Sequence, residues 1–430
     1  MNKKGLVPLA SLMALLVLVG CQENVNRPPN QVVTLTVLDP RNAGYTVAYQ
    51  VGNSSWTTLN PNANNTYTIN LGGQGKYGVA VLCGAGNVER SFLQVVHATS
   101  SELPNPVLSC PSWGNNQPEV LYTLNLDLTA TGARTGDRVW VSAPGGGNMV
   151  SVSVSDPART AVQVQGVPGI QDMVVVIERD HATILSAEIL RNINVADGGS
   201  STHTLGAPLG TYGVTVNNLP SGFPHLLSGV FFLSRNNKAY GHVGVGGVSF
   251  SYRQVRGFAQ GDRYYLLTSA SSPDFRSTVV HLKSSAGGDI SASFPNPWIP
   301  GFLSVTSSPH PTVSGLNHTG INLKAYMVNL TGDRLGLRAI VSKGWLGTGT
   351  IYGVPDLSGI LNYIPFANGS EVSVSVGAIF SPGALSLGEV GFFLGGVTFF
   401  DFSAFAASAD IAFAVAAGNY TVGGGSVRLP

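Results

Sequence analysis

Along most of this chain apolar and polar residues alternate with a period of two, the repeat of a strand with one face buried. Val32-Val33-Thr34-Leu35-Thr36-Val37-Leu38 sets the pattern, and Tyr45 to Tyr49, Trp56 to Leu59, Tyr67 to Leu71, Tyr77 to Cys83 and Phe92 to Val96 repeat it. Each run holds four to seven residues and stops at a cluster of Gly, Asn or Pro, such as DPRNAG, GNSS, NPNANN, GGQG and CGAGN. Turn signals this closely spaced, with no sustained helical period, predict an all-β sandwich over 31–111. Trp56 and Tyr77 are its economical core aromatics.

The habit continues past the linker PSWGNNQP. VLYTLNLDLT, VWVSA, VSVSVS, TAVQVQ and MVVVIE predict a second sandwich over 112–205. Two further β-rich domains follow over 206–298 and 299–430. A strand, a Gly-Asp-Arg turn and another strand occur three times, at Gly136-Asp137-Arg138, Gly261-Asp262-Arg263 and Gly332-Asp333-Arg334. Spacings of 125 and 71 residues are too irregular for a solenoid and suit diverged copies of one sandwich. Gly-Asp is a turn pair, and Arg opens the next strand with its stem along the sheet. The stretch VPGIQDMVVVIE resembles the PG-x-x-D-strand turn of carboxypeptidase-regulatory-like and related immunoglobulin-like modules. That likeness spans a dozen residues; it implies architecture and no activity.

Composition sharpens the picture. Only 23 basic and 22 acidic residues occur among 430, against 54 glycines and 25 prolines. Solvent faces are therefore built from hydroxyls and amides, and no basic field exists for nucleic acid or an anionic membrane surface. The first residues depart from the strand pattern. Lys3 and Lys4 precede an uncharged apolar run from Leu6 to Val19, too short for a stable membrane span and shaped like a secretory signal. Leu18-Val19-Gly20-Cys21 closes that run and resembles the lipobox of bacterial lipoproteins. The resemblance implies a signal peptide over 1–20, with Cys21 as the lipidated first residue of the mature protein. Residues 21–30, with Pro28-Pro29, then form a tether. Gln22 after the cysteine, in place of Asp, resembles lipoproteins forwarded to the outer membrane where a cell has two. The membrane partner is thus reached through acyl chains, each buried methylene contributing about 0.8 kcal/mol. Cys83 and Cys110 both end apolar runs in a chain that leaves the cytosol; a disulfide is the simpler reading and two buried thiols the alternative.

Residues 372–418 are rich in Gly, Ala and Phe. Glu389, Asp401 and Asp410 interrupt them, so no uncharged run approaches a membrane helix. Phe402, Phe405, Ala406 and Ala409 have helical spacing, so one short helix and a buried strand pair are equally compatible. A membrane β-barrel fits the low charge but not the irregular turns.

Candidate chemistry is sparse. Gly73-Gln74-Gly75-Lys76-Tyr77-Gly78 matches G-x-G-x-x-G, but a strand pattern follows where a dinucleotide site needs a helix N-terminus. Eight histidines show no zinc spacing; His310 and His318 share one loop-like stretch without a nearby carboxylate or thiol. No calcium loop, nucleophile elbow or cysteine-protease context appears. No cofactor or metal is expected. Of Trp56, Trp113, Trp140, Trp298 and Trp345, Trp113 and Trp298 lie in Pro/Asn-rich linkers where a ring could stack on sugar or peptide. The expected function is a lipid-anchored, non-enzymatic binding, adhesion or scaffold module with an envelope protein or glycan as partner. The alternatives are a polysaccharide-active enzyme whose paired carboxylates meet only in the fold, and a carbohydrate-binding module with an exposed tryptophan row.

Overall fold

The computed structural model describes residues 32–39, 44–60, 62, 64–84, 91–110, 119–142, 149–180, 183–235, 239–385 and 410–430. The chain is almost wholly β. Its first strands are β1 (Val32–Leu38), β2 (Tyr45–Val51), β3 (Thr57–Leu59), β4 (Thr66–Asn70), β5 (Lys76–Cys83), β6 (Ser91–Thr99) and β7 (Val107–Ser109). A second run comprises β8 (Val120–Asp127), β9 (Arg138–Ser142), β10 (Met149–Ser153), β11 (Thr160–Gly166), β12 (Gly169–Arg179), β13 (Thr183–Val195) and β14 (Gly199–Thr204). A third holds β15 (Thr211–Asn217), β16 (His225–Leu233), β17 (Tyr240–Gly246), β18 (Ser249–Arg253), β19 (Arg263–Ser271), β20 (Ser277–Ser285) and β21 (Ile290–Ser293).

The remaining strands are β22 (Ser304–Val305), β23 (Thr312–Ser314), β24 (Leu323–Thr331), β25 (Leu335–Ser342), β26 (Ile351–Gly353), β27 (Glu371–Phe380), β28 (Asp410–Thr421) and β29 (Val427–Arg428). One-turn helices α1 (Lys343–Leu346) and α2 (Ser358–Leu361) flank β26. Neither is long enough to cross a membrane. The described ends of the 372–418 stretch form strands: β27 pairs antiparallel with β28 from Glu371↔Thr421 to Phe380↔Ala412. The helically spaced Phe402, Phe405, Ala406 and Ala409 lie outside the described residues.

One strand order recurs. In each of the first three runs the first strand is central in a three-stranded sheet, antiparallel to the fourth strand and parallel to the seventh. The other strands form a four-stranded layer facing it. Sequence pattern follows from this layering. β1 alternates, with Val33, Leu35 and Val37 inward and one face toward water. β5 is buried at seven successive positions, Tyr77 to Cys83, because it lies within a wide sheet covered on both faces.

That wide sheet is the spine of the molecule. Twelve strands run β17-β16-β19-β20-β28-β27-β24-β25-β6-β5-β2-β3. It is continuous because edges that would otherwise be unpaired meet each other. β20 joins β28 antiparallel from Ser277↔Ala416 to Lys283↔Asp410, and β25 joins β6 in parallel from Leu335↔Ser91 to Val341↔His97. The second run keeps its own four-stranded sheet, β10-β9-β12-β13. The long β13 edge is partly occupied, since Ile189 N donates to Arg256 O at 3.0 Å and Arg256 N donates to Ala187 O at 2.9 Å.

Candidate functional site

The sheet β10-β9-β12-β13 leans its outer face on the β17 end of the spine. Val174 and Val176 of β12 and Ala187 and Ile189 of β13 pack into the same apolar core as Val230, Phe232 and Val243 of the third run. Close approach requires a glycine: a Cβ on Gly241 would lie 2.5 Å from Val174 Cγ1. Ser142 Oγ donates to Tyr240 O across the same seam. Where the two sheets diverge, a cleft of about 370 Å³ opens. Trp140, Met149 and Ile184 line one wall, and Leu227, Phe231 and Val245 the other. Leu227 is 62% exposed and Val245 37%, so apolar surface continues onto the rim.

A few polar groups converge in this apolar slot. Glu178 accepts a 2.5 Å hydrogen bond from Trp140 Nε1, which fixes the indole against the wall. His242 lies beside the Phe231 ring, centroids 5.0 Å apart. Burial holds the His242 imidazole below its usual range, and the Glu178 charge only partly offsets this, so the ring is neutral at pH 7. Ser228 also lines the cleft, but its hydroxyl is bonded to Thr268 Oγ1 at 2.7 Å. The arrangement suits holding a small apolar body with one hydrogen-bonding group. It offers no activated nucleophile among its lining residues.

No protein-family model matches the chain, and no curated protein does. Among solved structures it is similar to the Bacillus anthracis TIE protein at 11% identity and TM-score 0.15, over 61% of this chain and 50% of that one. The chain thus spans about half the length of that protein. It is similar to the chicken CNTN1 FN1–FN3 domains at 13% identity and TM-score 0.15, covering 71% of this chain and 90% of that one. A Streptococcal ancillary pilin overlaps 55% of this chain and 89% of its own at 10% identity and TM-score 0.14. The functional reading stands on geometry instead.

The residues singled out in sequence go to several places. Cys21 lies outside the described residues. Cys83, at the end of β5, is bonded to Cys110, just after β7, with Cα atoms 5.4 Å apart, and this links the two layers of the first run. Gly72 and Gly73 take left-handed turn conformations and β5 begins at Lys76, so the glycine-rich motif is a turn that carries the chain from β4 in one layer to β5 in the other, with no hairpin between them. His310 and His318 do not meet at one site. His310 Nε2 is 3.3 Å from Asp356, while His318 packs edge-on against Trp298 and Phe380. Among the described residues no group of three His, Cys, Asp or Glu side chains gathers as a metal site.

Two of the three Gly-Asp-Arg aspartates anchor their turns. Asp137 accepts from Arg134 N at 2.8 Å and from Arg179 Nε and NH2 at 2.9 and 2.7 Å. The Arg179 hydrogen bonds hold its carboxyl below the usual range. Asp262, with no exposed surface, accepts from Ala259 N at 2.7 Å, Arg235 N at 2.9 Å and Arg191 NH2 at 2.5 Å. Arg191 also reaches Asp172 at 3.2 Å. Asp172 and Asp262 are thus two carboxylates brought to one group, but they share a guanidinium and accept main-chain N–H groups, which is a structural arrangement. Asp333 is exposed.

The described tryptophans are dispersed. Trp298 is buried and donates to Ala414 O at 2.8 Å, so it packs the spine. Trp56 and Trp345 flank His97 at centroid distances of 5.5 and 4.6 Å, where β6 meets the fourth run. Trp113 lies outside the described residues. Trp140 alone among the described tryptophans lines the cleft. Glu178 and His242 went unremarked in sequence; the available signal was an acid ending the apolar strand MVVVIE and a histidine within YGHVGVG.

Proposed function

We propose that this chain is a non-enzymatic binding protein of the cell envelope, held by lipid on Cys21 to the membrane, the outer one where there are two. In this reading four β-sandwich modules serve as a rigid support, and ligand is taken between the second and third. The observation that carries it is the cleft itself: an apolar slot with an exposed apolar rim and Glu178 and His242 as its titratable groups. Its ligand is a compact apolar molecule with one hydrogen-bond donor for the carboxylate or neutral imidazole. A glycan fits poorly, since hydroxyls placed against Met149, Ile184 and Leu267 lose water without gaining partners.

The test is titration with N-phenyl-1-naphthylamine, an apolar aromatic amine whose fluorescence rises out of water. A Cys21→Ser chain keeps lipid out of the readout. Saturable binding that quenches Trp140 emission and is lost in Val245→Trp, which fills the rim, supports the reading. A linear signal, or equal binding by Val245→Trp at unchanged melting temperature, overturns it. Lipid attachment is checked separately: labelled palmitate enters the wild-type protein and not Cys21→Ser.

A further inference from the structure

Several long strand edges among the described residues are closed within the chain. β20 and β28, corresponding strands of the third and fourth runs, close on each other over seven positions. β25 closes on β6 over seven more. The β13 edge takes Arg256, and Ser142 holds the β17 edge at Tyr240. Among the described residues β11, at seven residues, is the longest sheet-terminal strand with no hydrogen bond along its open side; the other such strands, β4 and β14 among them, have six residues or fewer. β11, Thr160–Gly166, pairs among the described residues with β8 alone.

That edge has none of the devices that keep strands apart. It carries no charge and no proline; Pro157 and Pro168 stand outside it. Its alternation is unbroken, with Val162 and Val164 fully buried and Ala161, Gln163 and Gln165 exposed. The pattern is also symmetric about Gln163. Run antiparallel against itself, it sets Gln163 opposite Gln163, Val162 opposite Val164 and Ala161 opposite Gln165. Buried positions meet buried positions, exposed meet exposed, and no like charges face each other.

We infer that β11 is a self-association edge, where a second copy of this chain adds its own β11 antiparallel about a two-fold axis at Gln163. The interface is isologous: one edge serves both copies and no further edge is opened, so assembly stops at the dimer. The joint between β20 and β28 is the internal precedent, equivalent strands pairing antiparallel over the same length. A strand pair alone is a small interface, so the dimer is expected at about 100 μM and not at nanomolar concentration.

The test adds one cysteine at a time to the full chain in the Cys21→Ser background, with the Cys83–Cys110 disulfide kept and sedimentation equilibrium beside it. Directly opposed residues lie about 4.5–5.5 Å apart at Cα, within disulfide reach. Gln163→Cys therefore forms a covalent dimer on oxidation. Gln165→Cys does not, because its two copies are offset by four residues, about 13 Å. Gln163→Lys, which opposes two charges at an exposed position, weakens the dimer at least tenfold while leaving the melting temperature unchanged. A chain that stays monomeric at about 100 μM overturns the inference. So does equal cross-linking by both cysteine variants, which would place the contact elsewhere.

Discussion

Acid should act on this protein through His97. The side chain is 4% exposed in β6, its Nδ1 2.9 Å from Tyr352 Oη and its Nε2 3.3 Å from Gln50 Oε1. Trp56 and Trp345 cover the ring. Burial lowers its pKa from 6.5 to about 4, because the imidazolium would lose water without meeting a carboxylate there. The folded state thus binds the proton more weakly than the unfolded state does. Stability is fully present above pH 6.5 and is lost as pH falls toward 4. The depression corresponds to about 3 kcal/mol over that window. Since β6 pairs with β25, the loss should loosen the joint between the first and fourth runs as well as the first run itself. The assay is urea unfolding at several pH values from 7 to 4 for wild type and His97→Gln. His203, His242, His310 and His318 are also lowered by burial, so the informative quantity is the difference between the two pH profiles. Wild type should lose about 3 kcal/mol more than His97→Gln across the range. Parallel profiles would refute the reasoning.

Asp262→Ala should cost about 3–5 kcal/mol, since it strips Arg191 of a buried partner and orphans two main-chain N–H groups, and Asp137→Ala should cost less, because its partner Arg179 is partly open to water. Asp333→Ala, exposed, should fall within about 0.5 kcal/mol of wild type; equal melting shifts for all three would remove the anchoring role. Replacing Cys83 and Cys110 together by Ala should cost about 3–4 kcal/mol for a separation of 27 residues, read by chemical unfolding in oxidising buffer, and an unchanged midpoint would count against the bond. Gly78→Ala should cost about 1–3 kcal/mol, because its Cβ would meet His97 and Trp56 at 2.9 Å; a neutral result by calorimetry would mean that this aromatic joint yields easily.

What the sequence determined is local. Alternation in VVTLTVL and TAVQVQ, with glycine and asparagine at the turns, requires strands with one face inward, and β1 and β11 are that. A Gly-Asp pair requires a turn, whichever partner the carboxylate then finds. Which edge meets which was not legible, because period-two alternation says what faces a core and nothing about what lies alongside. Nothing near Ser91–Thr99 announces that it pairs with Leu335–Ser342, or that Arg191 sits between Asp172 and Asp262. The cleft is hidden for the same reason. Trp140 and Glu178 meet across neighbouring strands, and His242 joins them from a different sheet, so each reads in sequence as an isolated residue of its own strand. Propensity and patterning act over a few residues, whereas edge pairing and sheet packing act across hundreds, and only tertiary structure decides them.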